Sequence, residues 1–362
     1  LRIMKRALLC SAFAALLTGC GLCPSPPSAA TGTAARYPIT DVASAPATPV
    51  RNQAKSGTCW AFGGVSLIES EAIRTRRCTP DLSEMWVVRH AYFEKAVKYV
   101  RTRGRVAFDQ GGEIQDVLWL VDRYGIVPQS LYEGGAADGT YDHASLAKAI
   151  RRLAKRIVDK KLYEKEHWQR MIDEELDRRL GARPDRFVID GVAYTPFSYA
   201  DSIGFRRDDY VALTSFTHHP FFERFVLEIP DNWAAHATLN IPLDSLMRLL
   251  DSALAAGYTA AWDADVSERG FGRRAGIALL PQQEGRITLP APEIVVDQPL
   301  RQRMFDTQAT TDDHVMHIVG TAVDSLGNSY YKVKNSWGER AGRHGYWYAS
   351  PAYVAGKTIE LV

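Results

Sequence analysis

Residues 53–62 read Gln53-Ala54-Lys55-Ser56-Gly57-Thr58-Cys59-Trp60-Ala61-Phe62. An amide side chain stands six residues before a thiol. The apolar run from Ala61 to Ile68 reads as a buried helix that begins at that thiol. A cysteine at a helix N-terminus meets the positive end of the helix dipole, which favours its thiolate. The Gln53 amide, brought beside that sulfur, can donate to a developing oxyanion. Such a thiolate works on carbonyls only when a base and an orienting group join it. Candidates for both lie near the other end of the chain: His314 in Asp313-His314-Val315-Met316-His317, and Asn335 in Lys334-Asn335-Ser336-Trp337-Gly338.

A lone cysteine reads most simply as a buried structural thiol. The combination of Gln53, Cys59, His314 and Asn335 is far more specific than any one of them. Side chains alternate along a strand, so His314 and His317 face opposite ways and one of them can meet Cys59. His314 follows the polar stretch Thr310–Asp313, where a cleft edge is expected; His317 is flanked by apolar residues and reads as a core histidine. Asn335, at the end of a strand, could accept from the imidazole and fix its tautomer. Trp337 could cover that bond, and Ser336 reads as structural. The other seven histidines show no metal-ligand spacing, so neither metal nor cofactor is expected.

Formal charge is +2 over 362 residues, with acidic and basic side chains mixed along the chain, which argues against a nucleic-acid partner. The N-terminus has a different character. Arg2, Lys5 and Arg6 precede the apolar stretch Ala7–Leu17, which ends in Leu17-Thr18-Gly19-Cys20. This order is that of a signal peptide, too short for a stable bilayer span, and Met4 reads as the translation start. The last four residues resemble a bacterial lipobox. That resemblance implies a lipid on Cys20 and a place on the periplasmic side of the cell envelope, at the outer rather than the inner membrane. The other reading is an ordinary cleaved signal with an incidental cysteine. Residues 21–48, rich in Pro, Ala, Ser and Thr, read as a tether. Export means an oxidising compartment, yet Cys23, Cys59 and Cys78 are too few for a disulfide framework. With Cys59 kept for chemistry, Cys23 and Cys78 could pair, against which stands the place of Cys23 in the tether.

Helical periodicity marks 58–77, a segment opened by the cap Ser83 and running to Val100, and one with the stripe Ile114, Val117, Leu118, Val121 that stops at Gly125. Residues 142–181 are highly charged and read as a two-helix excursion ending at Gly181. One more helix covers Leu243–Ala256. Short strands follow at Tyr258–Trp262, Gly276–Leu280, Val315–Val323, Tyr330–Val333, Gly345–Ala349 and Thr358–Val362, with Gly327-Asn328 as a hairpin turn. The expectation is an α+β protein. Its segments are the signal (1–20), the tether (21–48), a mainly helical lobe (49–240) and a strand-rich lobe (241–362), with a cleft between the lobes.

These residues resemble the papain superfamily of cysteine peptidases. Thr48-Pro49-Val50-Arg51-Asn52-Gln53 is similar to the strand leading to that family's oxyanion glutamine. Leu82-Ser83-Glu84 resembles its helix start, and Tyr124-Gly125-Ile126 also matches. Asp109-Gln110-Gly111-Gly112 resembles the segment that pairs with substrate backbone, Asp313-His314 the base, and Asn335-Ser336-Trp337-Gly338 the orienter. Two departures are informative. Ser56 stands where secreted members commonly have a cysteine, and His314 and Asn335 lie 255 and 276 residues beyond Cys59, against about 130–150 in papain-type enzymes. Both departures resemble the bleomycin hydrolase and aminopeptidase C branch, as do Leu-Ser-Glu-Met-Trp-Val-Val-Arg-His at 82–90 and Asp265-Val266-Ser267.

The resemblance implies a papain-like two-lobe fold with a barrel-like second lobe. It further implies a thiol peptidase with Cys59, His314, Asn335 and Gln53 as machinery and with Gly111, Gly112 and Trp337 against substrate. Members of that branch cut from the N-terminus, grip the free amine with their own C-terminal carboxylate and form hexamers. Here Val362 directly follows an expected strand, which weakens the exopeptidase reading relative to the peptidase one. Rival readings are an endopeptidase, an amidase or acyltransferase on cell-envelope peptides, and a silent peptide-binding lipoprotein. Partners expected are peptides, a membrane through the lipid, and further copies of the chain.

Overall fold

The computed structural model describes residues 37–135, 140–283 and 291–362. The signal segment, Cys20, Cys23 and the tether as far as residue 36 lie outside the described residues. Cys59 and Cys78 are free thiols. No helix among the described residues is long and apolar enough to cross a membrane.

The first strand, β1 (Ile39–Ser44), falls inside the stretch that reads as tether. It is ordered by main-chain pairing with residues 320–324, a long-range contact that its composition does not signal. The axis of the helical lobe is α1 (Cys59–Arg76), buried on nearly every face because it is apolar almost all round. Against it pack α2 (Glu84–Arg101) and α3 (Ile114–Tyr124). Ser83 caps α2 as expected, its hydroxyl accepting the Trp86 N–H at 3.0 Å. Gly125 ends α3 at φ 69°.

The charged stretch forms α4 (Ala144–Asp159) and α5 (Lys165–Leu180). It is no excursion: Leu146, Ile150, Ile157, Trp168, Ile172 and Leu176 join the same core as α1 and α2. Buried Arg89 of α2 donates to Asp173 at 2.8 Å and Asp177 at 2.7 Å on α5. The apolar stripe is narrow, and the charges around it hide it in the sequence. A small hairpin, β2 (Phe187–Ile189) and β3 (Val192–Tyr194), and α6 (Pro196–Ser202) follow.

Residues 213–240, read with the helical lobe, supply β4 (Leu213–Thr214), β5 (Arg224–Val226) and β6 (Ala237–Asn240) to the main sheet. After α7 (Leu243–Ala255) come β7 (Ala260–Ala264), β8 (Phe271–Gly272), β9 (Ile277–Ala278) and α8 (Gln298–Asp306). The chain closes with β10 (His314–Asp324), β11 (Ser329–Lys334), β12 (Tyr346–Ala349), α9 (Pro351–Lys357) and β13 (Thr358–Leu361). The strand order is β5-β6-β4-β13-β7-β10-β11-β12-β9-β8. Along one edge of β10 its first half pairs with β7 and its second half with β1. β10 and β11 form the expected hairpin across Gly327-Asn328.

Alternation on β10 separates two cores. Val315 belongs to the helical core around α1, while Met316 and Ile318 belong to the core under α7 and α9. The fit to α1 is close: a methyl on Gly63 would stand 2.6 Å from Val315 Cγ1. This packing holds the start of β10 against the start of α1.

Candidate active site

Cys59 is the first residue of α1 and is partly buried. A backbone hydrogen bond from Val315 reaches its sulfur, so the thiol lies against the residue that follows His314. The helix terminus alone does not produce a resting thiolate. Burial pushes the Cys59 thiol up to about 12, and Asp263, Asp312 and Asp231 push the same way. Burial likewise holds His314 down at about 4. Each group by itself is therefore neutral near pH 7. Moving a proton from such a thiol to such an imidazole would make a charged pair with net charge unchanged.

His314 Nε2 lies 2.8 Å from Asn335 Oδ1, and both residues are buried. The same Oδ1 accepts the Ser336 backbone N–H at 2.7 Å. A backbone N–H can only donate, so this atom is the amide oxygen and Nε2 carries the imidazole hydrogen. That tautomer leaves Nδ1 with a lone pair. The Trp337 ring packs over the imidazole with centroids 4.7 Å apart, and Arg273 stacks on the other ring system at 4.9 Å. His317 points to α1 instead, where its Nδ1 meets Ser66 Oγ at 2.9 Å. Ser66 is seven residues past Cys59, about 10 Å down the helix.

Gln53 is buried and held at both ends of its amide. Nε2 donates to the Ser56 carbonyl at 2.7 Å, and Oε1 accepts from Ser336 Oγ at 2.6 Å. One N–H of Nε2 stays unspent. Ser56 ties this loop further, donating to the Gln53 carbonyl at 2.7 Å. Gln110 fixes the next segment: its side chain accepts from the Gly57 N–H at 2.9 Å and its carbonyl from Trp60 Nε1 at 3.0 Å.

Gly111 and Gly112 follow. A methyl on Gly111 would sit 1.9 Å from Asp231 Oδ2, and one on Gly112 would sit 3.0 Å from the Trp60 ring. Here the absence of a side chain at Gly111 admits the Asp231 carboxylate. Beside this strip stand Glu113, Asp263 and Asp312, one carboxylate oxygen of each within 4.8 Å of the others. Sequence reasoning missed this cluster and the Ser336–Gln53 bond. A charged residue within the otherwise apolar strand Ala260–Ala264 was the available signal for Asp263. A second group with metal-ligating atoms, His218, His219 and Glu228, is largely exposed and already hydrogen-bonded within itself.

Residues 38–169 match the sequence model of the papain family cysteine protease, and residues 189–362 match that of the peptidase C1-like family. Aminopeptidase C of Lactococcus lactis subsp. cremoris is 24% identical over 355 residues, spanning 87% of this chain and 80% of the relative. Aminopeptidase G of Lactobacillus delbrueckii subsp. lactis is 25% identical over 364 residues, spanning 88% and 81%. The crystal structure of PepW from Lactobacillus rhamnosis HN001 superposes with a TM-score of 0.68 at 20% identity, covering 89% of this chain and 81% of that one. The chain is a papain-like cysteine peptidase. Within that superfamily it resembles the bleomycin hydrolase and aminopeptidase C branch.

Proposed function

We propose that the chain is a thiol aminopeptidase acting on small peptides, with Cys59 as nucleophile, His314 as acid and base, Asn335 as its orienter and Gln53 as oxyanion donor. One observation carries the reading. The Asn335 oxygen fixes the His314 tautomer with Nδ1 open, at the strand end packed on the helix that starts with Cys59.

Cys59 Sγ attacks the carbonyl carbon while its proton passes to His314 Nδ1. The carbonyl oxygen gathers charge beside the free Gln53 N–H and the Cys59 backbone N–H. His314 then gives the proton to the leaving amine, and the C–N bond breaks to leave a thioester. Water, deprotonated by His314, cleaves the thioester and returns the thiol. Gly112 offers backbone for substrate pairing, while the Gly111 carbonyl already accepts from Lys95, and Trp337 covers the His314–Asn335 bond. Exo- rather than endopeptidase action is supported by relatives named aminopeptidase C and G. The N-terminal sequence supports an envelope location with lipid on Cys20, which metabolic labelling with palmitate and a Cys20→Ser variant test.

The deciding experiment compares cleavage of one peptide with a free and an acetylated N-terminus, with Cys59→Ala as control. Loss on acetylation supports the aminopeptidase; equal rates make it an endopeptidase; full turnover by Cys59→Ala ends the thiol mechanism.

A further inference from the structure

Three carboxylates converge beside the thiol without a cation to balance them. Asp263 is wholly buried and neither of its oxygens has a partner; Glu113 Oε1 and Asp312 Oδ2 are also unpartnered. Among the described residues none of the three takes part in an ion pair. Lys95 is a nearby cation, but its ammonium donates to the carbonyls of Asp109 and Gly111. Buried carboxylates left this way are costly unless protonated or met by a cation.

Strand register explains how they come together. Asp263 on β7 lies opposite Val315 on β10 and opposite Glu360 on β13, so all three side chains share one face. That face carries Val315, against which the Cys59 sulfur rests. Glu360 adds a further buried oxygen without a partner, Oε2, to the same face. Glu113 follows Gly112 directly, and Asp312 precedes His314 by two residues, so the cluster joins the substrate strip to the base. Asp312 is only partly buried, whereas Glu113 and Asp263 are buried.

We propose that Glu113, Asp263 and Asp312 form the pocket that receives the protonated α-amino group of a peptide substrate, an inference that rests on the peptidase reading for the place of the scissile bond. An ammonium carries three N–H donors and no acceptor, which matches three carboxyl oxygens gathered at one point; burial and mutual repulsion push all three carboxyls up, and a cation among them favours their ionised, acceptor-only form. Asp263 lies opposite Val315, whose backbone reaches the Cys59 sulfur, so the cluster sits on the sheet face beside the thiol.

Binding can be read without turnover. In Cys59→Ala protein, calorimetry compares a tripeptide with a free N-terminus and the same tripeptide acetylated. The free amine should bind more tightly, and adding Asp312→Asn should weaken it by roughly 10- to 100-fold, the usual loss for a hydrogen bond to a charged group, while leaving the acetylated peptide unchanged. Glu113→Gln should do the same, and both variants should melt no lower than the parent because a repulsive charge is removed. Equal loss for both peptides, or no loss in either variant, overturns the pocket. So does tight binding of Ca²⁺ or Mg²⁺ that expels the free-amine peptide. Activity separates the two ideas: if wild-type protein cleaves peptides through Cys59 but Asp312→Asn keeps its preference for free amines, the peptidase stands and the pocket falls.

Discussion

Ser336 Oγ donates to Gln53 Oε1 at 2.6 Å, so the residue next to Asn335 also sets the oxyanion amide on the opposite lobe. One tripeptide, Asn335-Ser336-Trp337, thus touches the proposed base His314 twice and the proposed oxyanion donor Gln53 once. The Gln53 backbone N–H also donates to the Ser336 carbonyl at 2.8 Å, which locks the two segments in register. Gln53→Ala should lower kcat by roughly 10²–10³-fold, the loss seen for one oxyanion donor. Ser336→Ala should lower it by about tenfold, because the amide is present but less well aimed. The double variant should be no worse than Gln53→Ala alone. Steady-state kinetics on a peptide amide measures this, and additive losses would mean that Ser336 acts elsewhere.

The two histidines of β10 should separate cleanly. His314→Ala is expected to drop kcat to the level of Cys59→Ala. His317→Ala should retain most of kcat but lose about 1–3 kcal/mol of stability, since it strips a partner from a buried hydroxyl. That hydroxyl, Ser66 Oγ, also accepts from Lys334 Nζ at 2.8 Å, and Lys334 donates to Thr48 at 2.9 Å. Urea unfolding alongside kinetics distinguishes the outcomes, and an inactive but fully stable His317→Ala would exchange the roles.

The sequence made the site legible where chemistry demands a particular residue type. Gln53, Cys59, His314 and Asn335 could be singled out because each has few substitutes for its task. The helix α1 was legible from its long apolar run, α2 from its cap Ser83 and α3 from its one-sided stripe and Gly125. What escaped notice depends on long-range pairing. β1 is a strand because the second half of β10 has a free edge, and nothing in Ile39–Ser44 announces that partner. β4 and β6 are two and four residues long, shorter than any periodicity can reveal. The cluster of Glu113, Asp263 and Asp312 draws on three separate segments that meet only through the register of β7 with β10.

Trp337 should matter through water rather than through contact with the reacting atoms. Its ring lies over His314 and under Arg273, and burial is the main cause that holds His314 down at about 4. Trp337→Ala admits water, so the imidazole should move back toward its ordinary value near 6.5. The acid limb of the kcat/KM profile should then shift to higher pH, and kcat should fall by roughly tenfold or more as the His314–Asn335 bond loses its cover. An unchanged profile with normal kcat would make Trp337 a packing residue only.

Glu360 gives the fold a pH dependence with a definite sign. Burial holds it up at about 7, against lowering hydrogen bonds from Thr238 and Gln115. Its carboxyl in the unfolded chain titrates near the ordinary value of about 4.3. Below that value both states are protonated and the contribution is fully present. Between there and about 7 the unfolded chain releases its proton while the native chain keeps it, so stability is lost as pH rises. Above the native value the loss levels off. Glu360→Gln cannot ionise and keeps an amide oxygen for Thr238 and Gln115, so the stability difference between variant and parent should grow from pH 4 to pH 8. Its size should be on the order of 1–3 kcal/mol. Taking this difference cancels groups that do not feel Glu360, such as His314, whose lowered value costs stability only in acid; Asp263, Asp312 and Glu113 feel its charge and add to the difference in the same direction. Chemical denaturation of both proteins across that range is the measurement, and a flat difference would mean that Glu360 ionises freely in the native state.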